Sequence, residues 1–301
     1  MKFLSFVPLL FSSVLTSAAI VAEPFRKLDV GKRPESVCRG FDGKWFVTVM
    51  NSQETPGDGI VRMIDGDKIT DFASGMDEPK GIAYVGGFLV VTDLKRVWKI
   101  DSKGKATILA AAEAFPKPPS YLNDMAAAPD GKSVFVTDMG DNTKMRGPDG
   151  LWPVDSEEAK KIGLIGRVYR VDLEGRVELV VDAAAAMLNP NGVTSPEPGL
   201  LLIAEFFHGN ILSHRDGKME TLQSGLRGAD GIERGPKGEL YISSWTQGKV
   251  WRIAKPGDQP EVIIEGHKSA ADFFLDREEG VLILPDMLAG TLSFYRVQSS
   301  K

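Results

Sequence analysis

Pro79-Lys80-Gly81-Ile82-Ala83-Tyr84, then Phe88-Leu89-Val90-Val91-Thr92 and Val97-Trp98-Lys99-Ile100, decide the fold of this chain. The runs are short, rich in Val, Ile and Leu, and separated by turn residues. The last leads into the hairpin Asp101-Ser102-Lys103-Gly104 and a further run from Ala106. Such a stretch reads as consecutive antiparallel strands and not as helix. The unit recurs along the chain. Its openings are Pro34-Glu35-Ser36-Val37, Pro79-Lys80-Gly81-Ile82, Leu122-Asn123-Asp124-Met125, Pro190-Asn191-Gly192-Val193, Ala229-Asp230-Gly231-Ile232 and Ala271-Asp272-Phe273-Phe274. Their second members stand 45, 43, 68, 39 and 42 residues apart. A period of about 40 residues with several strands per repeat marks a β-propeller, one blade per repeat. The expected architecture is all-β and six-bladed.

The last repeat, from Ala271 to Val297, holds only three strands. Phe25 to Val30, ahead of the first opening, supplies the missing outer strand, so the N-terminal segment closes the ring and removes exposed edges. The third repeat is the long one. Its excess, about residues 141–166, reads as a loop followed by a short capped helix within Asp155-Ser156-Glu157-Glu158-Ala159-Lys160-Lys161. An insertion of this length in a compact domain reads as a lid over one mouth of the central channel or as a surface excursion.

The 301 residues are 43% hydrophobic and 26% charged, with a formal charge of -5, an ordinary soluble composition without the basic, aromatic-interleaved patches that bind nucleic acid. At the N-terminus Lys2 precedes the apolar stretch Phe3 to Leu15 and the small residues Ser17, Ala18, Ala19 and Ala22. This is the pattern of a secretory leader over residues 1–22, too short to span a bilayer comfortably. The expectation is an exported mature chain, 23–301, periplasmic or secreted, with no stable membrane anchor after cleavage. Cys38 is the single cysteine, so no internal disulfide forms, and it reads as a buried small hydrophobe. A monomer is the default expectation.

In a propeller, equivalent positions of the innermost strands meet on the axis. By that logic Glu35, Lys80, Asn123, Asn191, Asp230 and Asp272 converge. Asx residues at strand openings also serve turns, but turn-formers scatter in phase, whereas these share one. Converging carboxylates need a compensating cation. Carboxylate and amide oxygens without thiolate suit calcium first, with magnesium, manganese or zinc as alternatives. His208, after Glu205-Phe206-Phe207, is placed to reach the same mouth or to lie at the surface.

These openings resemble those of the gluconolactonase/senescence-marker-protein/luciferin-regenerating-enzyme family of six-bladed propellers, with the paraoxonases as more distant cousins. The resemblance runs from Arg33 to about Thr291. It includes the flanking patterns Ala128-Pro129-Asp130-Gly131-Lys132 with Val134-Phe135-Val136-Thr137, and Gly235-Pro236-Lys237-Gly238 with Glu239-Leu240-Tyr241-Ile242. It implies one divalent metal in the channel, held by Glu35, Asn123, Asn191 and Asp230, and hydrolysis of a small-molecule lactone or related ester. Asp230 would also position or deprotonate water. Asp124 would be an outer-sphere residue or a partner of substrate hydroxyls. Lys80 departs from the His that paraoxonase-like enzymes carry at the matching Pro-x-Gly opening. It reads as a desolvated base, an oxyanion clamp, or an internal cation paired with Glu35 or Asp272 that replaces the metal. The rival reading is a non-catalytic exported propeller that binds a ligand or partner protein through its top face. A strictosidine-synthase-like chemistry would want a later axial Glu, and a quinone-dependent dehydrogenase a catalytic His with a basic cradle; neither is found.

Overall fold

The computed structural model describes residues 21–297 and is a six-bladed β-propeller. Each blade is a four-stranded antiparallel sheet. Five are built from consecutive strands. The sixth takes its outermost strand, Arg26–Asp29, from the N-terminal end, paired in register with Thr291–Arg296. The expected ring closure is therefore present. Most of the expected leader, residues 1–22, lies outside the described residues. Ala22 donates its N–H to the Ile263 carbonyl on blade five at 2.8 Å. No helix among the described residues is long and apolar enough to cross a membrane.

The inner strands are apolar on both faces because each blade is sandwiched between two others. Side chains alternate along a strand. In Phe88–Asp93, Leu89 and Val91 pack with Phe46, Val61 and Met76 of blade one, while Val90 packs with Leu122, Val134 and Val136 of blade three. The same alternation builds an apolar cluster between every pair of neighbouring blades. Each fully buried aliphatic side chain contributes about 1.5–3 kcal/mol. Cys38 is buried at the interface of blades one and two, and burial, with Asp272 nearby, pushes its thiol pKa up.

The insertion leaves the second strand of blade three, Ser133–Asp138, and returns at Arg167–Asp172. In place of the expected helix it forms two single 3-10 turns, Asn142–Lys144 and Ala159–Lys161. Between them lies a two-residue-per-strand hairpin, Arg146–Gly147 with Gly150–Leu151. Ser156 Oγ accepts the Ala159 N–H at 3.1 Å, but the N-cap position falls on Glu158, whose side chain makes no capping bond. One turn alone does not offset the cost of helix nucleation, and Gly163 follows directly.

Candidate metal centre and axial pocket

In the first five blades the axial residue sits in a β-bulge. The opening residue pairs with the end of the second strand, and pairing resumes one residue out of step at Val37, Ile82, Met125, Val193 and Ile232. A bulge re-aims a side chain without ending the strand. Here it points Glu35, Lys80, Asn123, Asn191 and Asp230 into one mouth of the channel, where all five line a pocket of about 290 Å³.

Blade six differs from the expectation. Ala270 pairs with Asp286, so Ala271, not Asp272, occupies the axial position. Ala271 packs with Met50 and Met287, both of which line that pocket. Asp272 lies one residue further on, in phase with Asp124, and a one-residue shift in a strand turns the side chain to the opposite side. Asp124 and Asp272 line a separate cavity of about 210 Å³ at the other mouth.

The backbone that presents the axial residues is fixed by two repeated devices absent from the expectations above. Second-strand threonines reach across to the neighbouring blade. Thr48 Oγ1 donates to the Lys80 carbonyl at 2.7 Å, Thr92 Oγ1 to that of Asn123, and Thr137 Oγ1 to that of Asn191 at 2.7 Å. Buried carboxylates at second-strand ends accept the amides just ahead of the openings. Asp93 holds Asp77 and Glu78, Asp138 holds Ser120 and Tyr121, Glu205 holds Asn189, and Asp286 holds Lys268 and Ser269. The repeated Val-Thr-Asp at 91–93 and 136–138 was the signal for both devices. Gly192 lets blade five come close, since a Cβ there would sit 2.0 Å from the Asp230 carbonyl oxygen.

Within the pocket, Asn123 Oδ1, Asn191 Oδ1 and Asp230 Oδ1 are buried and have no hydrogen-bond partner. Their companions are engaged: Asn123 Nδ2 faces Met139 Sδ at 3.4 Å, and Glu35 Oε2 accepts Ser36 Oγ at 2.6 Å. Unpaired buried oxygens are costly, and three from three blades in one pocket are suited to a hard cation. The donors comprise two carboxylates and two amides. Among the described residues no group of three or more His, Cys, Asp or Glu is placed to hold a metal. Burial, then the charges of Glu35 and Asp272, holds the Asp230 pKa well above the usual carboxylate range, against the nearby Asn191 amide and the positive charge of Arg146. Burial likewise raises Glu35, against Ser36 and Lys80. Burial also raises Asp124, against the Val193 amide and with the charges of Glu35 and Asp230. This electrostatic load is what a bound cation relieves.

Lys80 pairs with neither Glu35 nor Asp272. Its Nζ lies 2.9 Å from Glu78 Oε2 and 4.3 Å from the centre of the Tyr121 ring, whose hydroxyl donates to the same Glu78 oxygen at 3.1 Å. Burial works against the ammonium, but Tyr121 and Glu78 outweigh it and hold its pKa above the ordinary lysine value. That direction argues against a base of lowered pKa and for a fixed positive charge. Asp124 faces away from the pocket and positions backbone, accepting the Met125 N–H at 2.6 Å and the Val193 N–H at 2.8 Å. His208 does not line the pocket. Its Nδ1 is 3.4 Å from Glu205 Oε2, at the foot of the Phe207 ring.

The insertion contributes Met139, Asn142, Met145 and Arg146 to the pocket wall. Met139 and Met145 pack with Leu188, Phe206 and Phe207 beneath it.

A family model for the SMP-30/gluconolactonase/LRE-like region matches residues 76–269. No curated protein matches the chain. Among solved structures, a gluconolactonase from Xanthomonas campestris superposes with a TM-score of 0.69 at 19% identity, covering 94% of this chain and 98% of its own. A calcium-binding protein, regucalcin from Agrobacterium tumefaciens, gives 0.65 at 15% identity, with 94% and 97% covered. An inactive variant of virginiamycin B lyase from Staphylococcus aureus gives 0.59 at 14% identity, with 91% and 99% covered. At these identities the likeness establishes the propeller, and one propeller hosts more than one chemistry.

Proposed function

This chain belongs to the SMP-30/gluconolactonase/LRE-like family, and we propose that it is a metal-dependent hydrolase of a lactone or related ester. The carrying observation is the set of unpartnered buried oxygens of Asn123, Asn191 and Asp230 in one pocket with Glu35. Those four residues would hold one divalent cation, calcium by the hardness of its donors. The cation, when bound, supplies polarisation of the ester carbonyl and compensation for the negative charge that develops there.

The chain's own groups do the rest. Asp230 orients the attacking water and takes its proton as the water oxygen bonds to the carbonyl carbon. The ring C–O bond then breaks, and the departing oxygen receives that proton back. Lys80, held charged by Glu78 and Tyr121, places a fixed positive charge on the pocket wall beside the developing oxyanion. Asp124 acts at one remove, through the amide of Val193, two residues beyond Asn191. Met50, Met139, Met145 and Met287 give the pocket an apolar lining that limits access of bulk water.

The test is hydrolysis of a panel of aldono- and acyl-lactones by the purified chain, with chelation, cation readdition and Asp230→Ala. Hydrolysis that chelation abolishes, readdition restores and Asp230→Ala lacks supports the reading. Hydrolysis indifferent to chelator and to Asp230 overturns it. A second reading, a propeller that binds a ligand without turning it over, is favoured by Lys80 in place of a titratable His; it predicts ligand binding with no turnover across the panel. Export is part of the proposal and rests on residues 1–22. N-terminal sequencing of the chain recovered outside the cytoplasm checks it, with a start after Ala19 or Ala22 expected.

A further inference from the structure

The pocket carries positive charge that the lactonase reading does not use. Most arginines of the described chain have carboxylate partners: Arg62 with Asp71, Arg96 with Asp77 and Asp93, Arg170 with Asp130. The two that line the axial pocket, Arg33 and Arg146, have none among the described residues. Arg146 sits on the insertion hairpin with its guanidinium stacked on two rings, 4.6 Å from the centre of Trp245 and 5.4 Å from that of Phe206. Stacking on ring faces holds a guanidinium in place and leaves its N–H edge free to bind an anion.

The hairpin is anchored from both sides. Trp152 packs on Gly147 so closely that a Cβ there would meet the indole at 2.3 Å, and Arg227 donates to the Trp152 carbonyl at 2.6 Å and the Phe207 carbonyl at 2.9 Å. Arg146 is thus a preorganised cation. Arg33 faces the pocket from blade one in a left-handed backbone conformation, φ 60°, a strain that non-glycine residues rarely carry. It also lines a wider polar groove of about 630 Å³ that joins the pocket at Arg33 and Gln53. Asp230, one of the axial donors, attracts Arg146 through space, but no carboxylate forms an ion pair with either arginine among the described residues.

We propose that Arg146 is a specificity-determining residue that binds an anionic substituent, a carboxylate or a phosphate, carried by the substrate in addition to its lactone. This rests on the lactonase reading for the word substrate. The anion site stands on the arginines alone. The substrate class is then an acidic sugar lactone, and Arg33 adds to the field that draws it in.

Calorimetric titration of the ring-opened acids tests the site without turnover. The probes are gluconate, glucarate with a second carboxylate, and 6-phosphogluconate with a phosphate. The expected result is that glucarate or 6-phosphogluconate binds about 10- to 100-fold tighter than gluconate, the range of a hydrogen bond to a charged group. Arg146→Gln removes that advantage and Arg146→Lys keeps part of it. Which of the two probes gains identifies the group. Equal binding of all three, no binding of any, or an equal loss for all three in Arg146→Gln overturns the proposal. The matching lactones, assayed in parallel, separate the two ideas. Hydrolysis without preference leaves a lactonase and removes the anion site; selective, Arg146-dependent binding with no hydrolysis does the reverse.

Discussion

Thr137→Val tests whether the inter-blade hydroxyls hold the axial site. Thr137 is fully buried, and its Oγ1 accepts the Asp124 N–H at 3.0 Å while donating to the Asn191 carbonyl at 2.7 Å. Valine keeps the shape and removes both bonds. Two buried backbone groups then lack partners, at about 1–3 kcal/mol each, so with partial relaxation the loss of stability is about 2–4 kcal/mol. Asn123 and Asn191 flank the lost bonds, so cation affinity should fall as well, although no donor is touched. Urea unfolding gives the first number and cation titration of the folded variant the second. Thr107→Val is the control: its hydroxyl makes one exposed bond, to the Lys99 carbonyl at 3.3 Å, and the change should stay within about 0.5 kcal/mol. A Thr137→Val protein within about 0.5 kcal/mol of the parent, with unchanged cation affinity, would refute the reasoning.

Three further outcomes follow from the same geometry. Gly192→Ala forces a Cβ to within 2.0 Å of the Asp230 carbonyl oxygen, so blade five must shift; stability should fall by at least about 2 kcal/mol in urea unfolding, and cation binding should weaken. Glu78→Gln leaves the buried Lys80 ammonium without its carboxylate and should cost about 3–5 kcal/mol, whereas adding Lys80→Met should recover much of it; a double-mutant cycle measures the coupling. Asp286 resists burial through His267 and the amides of Lys268, Ser269 and Ala289, which hold its pKa below the ordinary value of 3.8. Its stabilisation is therefore present above the unfolded pKa and lost as pH falls through the folded one. Asp286→Asn should cost most at pH 7, with the gap to the parent narrowing on acidification below about pH 4; a gap that widens in acid would contradict the assignment.

The propeller, its closure by Arg26–Asp29, and the convergence of five axial residues were legible because alternation and repeat phase are properties of local sequence. Blade six was not. Ala271-Asp272 looks like Ala229-Asp230, and the number of residues between an axial position and its second-strand end varies by one or two from blade to blade, so phase cannot be counted. Only the pairing of Ala270 with Asp286 reveals the slip. The partner of Lys80 was hidden for a different reason. Glu78 is two residues away but outside the repeat's aligned positions, and Tyr121 comes from the next blade. The fold of the insertion was misjudged because a cap-like pattern in the sequence does not make a helix, and its pocket-facing Arg146 sits in a segment with no repeat to compare against.

The most direct test of the central claim is the cation stoichiometry of the purified chain, taken by calorimetric titration with calcium after removal of bound metal. One ion per chain is expected, with binding lost in Asp230→Ala while the variant keeps its β-sheet circular dichroism and cooperative unfolding. No binding, or binding that survives Asp230→Ala unchanged, would mean that the unpartnered oxygens of Asn123, Asn191 and Asp230 serve something other than a metal.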